Sequence, residues 1–179
     1  MRNAVCRMLL AALLILPAAC GQGPPPDDLR AGHFFPPLVL EDLSGAHKLL
    51  ADYQGKLVIL NVWATWCPPC RKELPGLQQL QHHLDPQRFV VIGLSVDGDV
   101  DFAREYLLEH NIAFENFIDR DAREVRRLLG VRAYPDTFII SPQGVLLRGV
   151  IGDRAWNDPA IVAAIEAAYA GDLSGLDHL

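Results

Sequence analysis

Two nearly continuous apolar runs stand out along the chain, at residues 57–63 (LVILNVW) and 89–96 (FVVIGLSV). Both are rich in β-branched side chains, which is typical of strands that are buried on both faces of a sheet. Between them, apolar positions recur every three or four residues and predict a helix over residues 68–84, with a stripe at Leu74, Leu77, Leu80 and Leu84. This alternation of strand and helix predicts an α/β fold, a sheet with helices on both faces.

The segments before and after these elements predict shorter strands, turns and helices. Residues 35–40 and 47–50 flank the turn-like sequence DLSG and predict a short hairpin. Residues 97–101 (DGDVD) are interpreted as a solvated, acidic face, and residues 114–118 predict a short strand. A helical stripe lies between these two segments at Phe102, Tyr106 and Leu107.

The last third of the chain predicts a helix, a hairpin and a closing helix. The first helix covers residues 121–129 and carries an outward, solvated row of arginines at Arg123, Arg126 and Arg127. Residues 137–141 and 145–151 predict a hairpin around a Pro-Gln-Gly turn. The alanine-rich residues 155–170 predict the closing helix, and residues 171–179 are expected to be a frayed tail.

The first 19 residues have the layout of a secretory signal peptide, with two arginines, an apolar run at residues 8–16 and small residues before Cys20. The run is shorter than the roughly 20 apolar residues that span a bilayer. A cysteine directly after two alanines resembles the lipobox of bacterial lipoproteins, although Pro17 stands where that motif usually has leucine. We therefore predict that Cys20 is the lipidated first residue of the mature protein. Plain cleavage and an uncleaved anchor are the alternatives.

Composition and charge narrow the class of protein. The chain is 50% hydrophobic and 21% charged, which fits a globular protein and not a disordered one. Its formal net charge is −6, or −8 once two arginines leave with residues 1–19, so we expect no nucleic-acid partner and no charge-driven binding to anionic lipid. Membrane anchoring then depends on the lipid at Cys20, with residues 20–32 as a flexible linker to one domain at residues 33–170.

The sequence WCPPC places Cys67 and Cys70 where the first apolar strand meets the following helix. Such a pair is either half of a metal site or a redox pair. The chain has no second C-x-x-C, and the adjacent His82 and His83 point roughly 100° apart on a helix, so no metal site is predicted. A dithiol metallochaperone remains an alternative that uses the same cysteines.

The redox interpretation has a mechanism. Cys67 would cap the helix, which Pro68 and Pro69 are suited to begin because they lack the N–H groups that have no partner in the first turn. The N–H groups of Cys70 and Arg71 would stabilise a Cys67 thiolate, which attacks a substrate disulfide before Cys70 resolves the mixed disulfide. Since two prolines remove two donors, we predict a weakly lowered pKa of Cys67 and a reducing couple.

At these residues the sequence resembles the thioredoxin superfamily, specifically its TlpA/ResA-like envelope branch. The matching stretches are residues 55–80, which contain WCPPC, and residues 130–152, which contain a Tyr-Pro before a Thr-Phe strand; the likeness covers roughly residues 32–170. The resemblance implies a thioredoxin fold, with a central mixed sheet, helices on both faces and an N-terminal hairpin extension.

The resemblance also implies roles for individual residues. Pro135 matches the cis-proline that faces the cysteines and binds substrate backbone, with Tyr134 beside it. Trp66 is expected to shield the disulfide and offer partners a flat contact. Glu73 matches an acidic residue near the cysteines, and one helical turn brings it to the face of Cys70.

A carboxylate at residue 73 would raise thiol pKa values and exchange protons with the buried thiol. The alternative is a solvated helix residue. Asn61 stands where cytosolic thioredoxins carry a buried aspartate, so Glu73 is the preferred proton acceptor.

The resemblance implies an extracytoplasmic thiol-disulfide oxidoreductase that needs no cofactor and acts as a monomer. The expected substrates are disulfides of envelope proteins, such as cysteines awaiting haem attachment in cytochrome c maturation. A membrane thiol-transporting protein would supply the electrons. A disulfide-forming oxidant is an alternative, whereas a thiol peroxidase is disfavoured because no Pro-x-x-x-Thr-x-x-Cys pattern surrounds either cysteine.

Overall fold

Seven strands form one mixed sheet in the computed structural model, which describes residues 29–179. The strand order is β2-β1-β5-β4-β3-β6-β7. The strands are β1 Val39–Asp42, β2 His47–Leu49, β3 Leu57–Trp63, β4 Phe89–Ser95, β5 Glu115–Ile118, β6 Asp136–Ile140 and β7 Leu146–Ile151. The predicted signal peptide and Cys20, with most of the predicted linker, lie outside the described residues.

Within residues 29–179, three α-helices lie between strands, α1 Pro68–His83, α2 Val100–Glu109 and α3 Arg123–Leu128, and a fourth, α4 Pro159–Tyr169, follows β7. Three short 3-10 segments complete the described elements, at Leu50–Tyr53, Arg120–Ala122 and Ser174–His178. The predicted thioredoxin fold and its N-terminal hairpin are confirmed. Across residues 29–179, no helix combines the length and the apolar character needed to cross a bilayer.

The central strand β3 ends at Trp63, and the segment that contains the cysteines follows it directly. All seven of its residues are buried, because it lies between β4 on one side and β6 on the other. It runs parallel to β4 and antiparallel to β6, with Val62 opposite Asp136. The end of β3 and the beginning of β6 therefore lie at the same edge of the sheet, so the segments that contain Cys67 and Pro135 meet there.

Two helices begin later than the sequence predicts. α3 starts at Arg123 and not at residue 121, because Asp121 and Ala122 have left-handed φ values of 62° and 57°. The carboxylate of Asp119 then accepts the N–H groups of the first turn. α4 starts at Pro159 and not at residue 155, because the Asp158 side chain caps it by accepting the N–H of Ala160 at 2.8 Å.

The predicted stripe of α2 is wrong at one position. Phe102 is 59% exposed, whereas Ala103 and Leu107 are buried. These two residues are four apart and form the inner face of the helix, so the predicted stripe holds at Leu107, and Ala103 takes the inner position in place of Phe102. Tyr106 is partly buried, with its ring centroid 5.7 Å from that of Trp63.

The C-terminal segment was predicted to be frayed, but it is ordered. Ser174–His178 form a 3-10 helix, and Leu176 within it is 2% exposed. Gly175 allows the close contact with α4, because a Cβ at this position would lie 2.7 Å from the Cβ of Ala164. Leu179 also packs against the core, and Asp177 pairs with Arg148 at 3.5 Å, so the segment is held at several points.

Gly93 in β4 is a sensitive point of the core. A Cβ there would lie 1.9 Å from Oδ1 of Asn116, which accepts the indole N–H of Trp63 at 3.0 Å. We expect Gly93→Ala to lower the free energy of unfolding by about 2–4 kcal/mol, since the methyl group overpacks the site and breaks a buried hydrogen bond. Urea unfolding measures this effect. Gly149→Ala is the control, because its nearest atoms would lie 3.9 Å away; equal effects of both variants would contradict the interpretation.

Candidate active site

The two cysteines form a disulfide at the N-terminus of α1. The S–S distance is 2.07 Å, and the Cα atoms are 5.3 Å apart. Cys67 is the N-cap of the helix, and its sulfur accepts the N–H of Cys70 at 3.3 Å. The N–H of Arg71 was expected at this sulfur, but it donates to the carbonyl of Cys67 at 3.1 Å. Cys67 is 4% exposed and Cys70 is fully buried, so Cys67 is the more accessible of the two sulfur atoms.

The predicted proline loop is present beside the disulfide segment. The peptide bond between Tyr134 and Pro135 is cis. The Tyr134 ring packs edge-to-face against Trp66 with the ring centroids 5.6 Å apart. Trp66 is 61% exposed and directly precedes Cys67. The structure therefore places the exposed Trp66 against Tyr134, with the buried Pro135 directly after Tyr134 in the chain.

Glu73 is buried, so the alternative of a solvated helix residue is wrong. It is 2% exposed and lies one turn beyond Cys70 on α1. Its Oε1 accepts the amide N–H of Asn61 at 2.6 Å. Its Oε2 accepts the indole N–H of Trp156 at 2.8 Å and the backbone N–H of Arg154 at 3.1 Å. Three N–H donors from two other parts of the chain thus hold one carboxylate.

The environment of Glu73 shifts its acid–base equilibrium. Burial raises the pKa of Glu73 to about 7, against the opposing effect of the hydrogen bonds from Trp156, Asn61 and Arg154. The negative charge of Asp153 raises the pKa further. A carboxyl group with a pKa near neutrality can both accept and release a proton under ordinary conditions.

Several residues of this site were missed in the sequence. Trp156 is fully buried and bonds Glu73 from a position 83 residues away, a separation that no short motif covers. Thr137 accepts the second amide N–H of Asn61 at 2.9 Å and joins β6 to this network. Asp136 follows the cis-proline and is 7% exposed, and burial raises its pKa to about 6. In the sequence, Asp136 could have been recognised as an acidic residue at the start of an otherwise apolar strand.

Asp97 was interpreted as part of a solvated face, which is wrong. It is 1% exposed, and its carboxylate accepts hydrogen bonds from Ser95 Oγ and Thr65 Oγ1, both at 2.7 Å, and from the Thr65 N–H at 3.1 Å. Thr65 lies between β3 and Cys67, so Asp97 fixes the loop that carries the nucleophile candidate. The rest of that acidic segment is exposed at Gly98 and Asp99, and Asp99 caps α2.

The two adjacent histidines lie at the far end of α1. His82 and His83 are exposed and bond to Gln78 and to the carbonyl of Gln79. At 1.5 Å per residue they are roughly 18 Å along the helix from Cys70. They therefore do not face the cysteine pair.

Thiol-disulfide oxidoreductases of the thioredoxin type carry a C-x-x-C pair near a strand–helix junction, and Cys67 and Cys70 occupy that place between β3 and α1. The fold and the disulfide together define this class of protein. Comparison with known proteins identifies the family. The chain belongs to the AhpC/TSA family, whose model matches residues 31–148.

Three known proteins illustrate the similarity. Thiol-disulfide oxidoreductase ResA of Bacillus subtilis is 32% identical over 126 residues, which are 70% of this chain and 70% of that protein. Thioredoxin-like protein YneN of the same organism is 32% identical over 120 residues, 66% of this chain and 69% of that protein. The crystal structure of a candidate thiol:disulfide interchange protein DsbE from Chlorobium tepidum has a TM-score of 0.68 at 29% identity and covers 82% of this chain and 99% of that one. The chain is thus a thiol-disulfide oxidoreductase.

Proposed function

We propose that the protein reduces disulfides of envelope proteins outside the cytoplasm, with Cys67 as the nucleophile and Cys70 as the resolving cysteine. The observation that carries this assignment is the asymmetry of the pair. The Cys67 sulfur caps the helix and keeps some exposure, whereas Cys70 is fully buried one turn inside. A substrate disulfide can approach the first sulfur and not the second.

The first step forms a mixed disulfide. In the dithiol form of the enzyme, the Cys67 thiolate attacks one sulfur of the substrate disulfide. The bond from that sulfur to its former partner breaks, a new S–S bond to Cys67 forms, and the departing substrate thiolate takes a proton from water. The partial positive charge of the helix N-terminus and the Cys70 N–H favour the attacking thiolate.

The second step releases the substrate. Cys70 loses its proton and attacks the Cys67 sulfur, which breaks the mixed disulfide and expels the second substrate thiolate, and this thiolate takes a proton from water. The substrate has then gained two electrons and two protons, and the enzyme is left with the Cys67–Cys70 disulfide. A dithiol donor must reduce that disulfide again, and we propose a membrane thiol-transporting protein for this role.

Glu73 is the proposed proton acceptor for Cys70. Residues three apart on a helix are neighbours on its surface, and both side chains are buried. A pKa of about 7 lets the carboxylate accept the thiol proton during the second step. Its charge also disfavours a nearby thiolate and so raises the thiol pKa values.

The location outside the cytoplasm is supported by the signal-like residues 1–19. Lipidation of Cys20 would tether the domain through residues 20–32 and raise its local concentration near a membrane donor. Proteins of the envelope acquire disulfides in an oxidising compartment. Cysteines that must be free for haem attachment in cytochrome c maturation are the proposed substrate class, and the domain is proposed to act as a monomer.

Trapping in the native cell envelope tests this function. Cys70→Ser is expected to hold substrates as mixed disulfides on Cys67, because the second step is missing. Mass spectrometry then identifies the captured proteins. The double variant Cys67→Ser/Cys70→Ser is the matched control and should capture none. Recovery of no envelope protein by Cys70→Ser, while alkylating agents still label Cys67, would contradict a general reductase.

A further inference from the structure

A hollow of about 230 Å³ opens beside the redox pair. One wall consists of Trp66 and Tyr134, the edge-to-face pair next to Cys67 and Pro135. The opposite wall comes from the beginning of α3 and the loop after β4, with Arg126, Asp121, Ala122, Gly98 and Val96. The hollow therefore joins the substrate-facing aromatic residues to a helix that the proposed chemistry does not use.

The helix and its flanks are unusually rich in arginine. Five arginines lie within 13 residues, at Arg120, Arg123, Arg126, Arg127 and Arg132. Two are paired, Arg120 with Glu41 at 2.8 Å and Arg127 with Glu124 at 2.5 Å. Within residues 29–179, no carboxylate oxygen lies within 4 Å of the other three. We name this exposed set, Arg123, Arg126 and Arg132, the arginine rim.

Two of the three acidic groups near the rim, Asp119 and Glu124, are occupied elsewhere. The Asp119 carboxylate accepts two backbone N–H groups at the start of α3, and Glu124 pairs with Arg127. Asp121 lines the hollow too, and its carboxylate offsets one of the three positive charges of the rim, which stays net positive. Arg126 itself donates only a long hydrogen bond of 3.4 Å, to the backbone carbonyl of Asp121. The N–H groups of the Arg126 guanidinium are thus available to bind a ligand.

The rim contrasts with the charge of the whole chain, which is −6. Unpaired positive charge at the mouth of a site attracts partners of opposite charge and speeds their association. A guanidinium forms two parallel hydrogen bonds with a carboxylate. Arg123 lies one helical turn before Arg126, so both lie on one side of α3.

We propose that the hollow is a docking site for the segment of a substrate polypeptide next to its reactive disulfide, and that the arginine rim selects segments that carry aspartate or glutamate. This inference rests on the proposed reductase function. The segment lies against the flat faces of Trp66 and Tyr134, and its carboxylate binds Arg126. Charge complementarity at this surface, and not only the thiol chemistry, then determines which disulfides are reduced fastest.

Three cyclic disulfide peptides test the inference. They have equal length and carry glutamate, glutamine or lysine beside the cysteines. The dithiol form of the protein is mixed with each, and stopped-flow fluorescence gives the second-order rate constant. We expect the glutamate peptide to react about fivefold faster than the glutamine peptide at low salt, and the difference to shrink at high salt. Arg126→Gln should remove the preference, and Arg126→Glu should reverse it toward the lysine peptide.

Arg127→Gln is the matched control, because it removes the same charge from the same helix at a residue that is already paired; it should keep the preference. Neutral hydroxyethyl disulfide, which offers no charge to the rim, should be reduced by the wild-type protein and by Arg127→Gln at equal rates. Equal rates for all three peptides, or a preference that survives Arg126→Gln, would overturn the docking site and leave the reductase intact. If neither peptides nor hydroxyethyl disulfide were reduced, the proposed function itself would fail, and the docking site with it.

Discussion

Cys67→Ser is expected to abolish disulfide reduction, with a loss on the order of 10³-fold or more in the second-order rate constant. Serine has no thiolate to attack a disulfide, and Cys70 is fully buried and cannot replace it. Hydroxyethyl disulfide is a suitable substrate because it needs no docking surface. Stopped-flow kinetics with the dithiol form of each protein measure the loss.

Cys70→Ser is the matched variant for this experiment, since it removes one sulfur atom from the same pair. It should perform the first step at nearly the wild-type rate and then stop as a mixed disulfide, which intact-protein mass spectrometry detects. The opposite result would contradict the assigned roles. A Cys67→Ser protein that still accumulates mixed disulfides would show that Cys70 is the nucleophile.

Glu73→Gln is expected to change how stability depends on pH. The pKa of Glu73 is raised from 4.5 to about 7 in the folded protein. A raised carboxyl pKa means that the folded state holds the proton more tightly, so this stabilisation is complete below pH 4.5 and is lost as the pH rises through 7. The loss is on the order of 3 kcal/mol. Glutamine does not titrate, so the free energy of unfolding of the variant should lack this part of its dependence on pH.

Urea unfolding of the oxidised proteins across this pH range measures the difference. Asp136 contributes a slope of the same sign in both proteins, because its pKa is raised to about 6, so the comparison isolates Glu73. Glu166→Gln is the control, since it removes an exposed acid from α4. Parallel stability curves for wild type and Glu73→Gln would contradict the account of the buried carboxyl.

The same variant also tests the redox role of Glu73. Without the carboxylate, the thiol pKa values should fall, and the second step should slow because Cys70 has lost its proton acceptor. The variant should fold, because Asn61 Oδ1 is buried without a partner within residues 29–179, and rotation of its amide would offer this oxygen to the new NH₂. Alkylation rates as a function of pH report the thiol titration, and an unchanged titration would refute the role.

The sequence predicts the parts of this protein that depend on local pattern. β3 coincides with its apolar run because every residue of a central strand is buried. The helix after Cys67 is predicted within one residue of its end, since its leucine spacing and N-terminal prolines act locally. The cis bond at Pro135 follows the resemblance to the thioredoxin superfamily.

The partners of Glu73 could not be predicted in this way. Trp156 and the N–H of Arg154 reach it from the loop before α4, and only the folded chain brings that loop to α1. The prediction that Asp97 is solvated is wrong for a similar reason. Its carboxylate accepts hydrogen bonds from Thr65, which lies 32 residues earlier in the chain. The left-handed turn at Asp121 and Ala122 contains no glycine, so the sequence does not predict a break in the helix at these two residues.

The reduction potential of the Cys67–Cys70 pair tests the central claim most directly. One backbone N–H, that of Cys70, contacts the Cys67 sulfur within the described chain, because Pro68 and Pro69 have none to give. A poorly stabilised thiolate, further disfavoured by Glu73, lowers the potential. Equilibration with thiol–disulfide buffers should give a value below about −220 mV, as a reductant requires. A value near −120 mV, typical of a strong oxidant, would contradict the account.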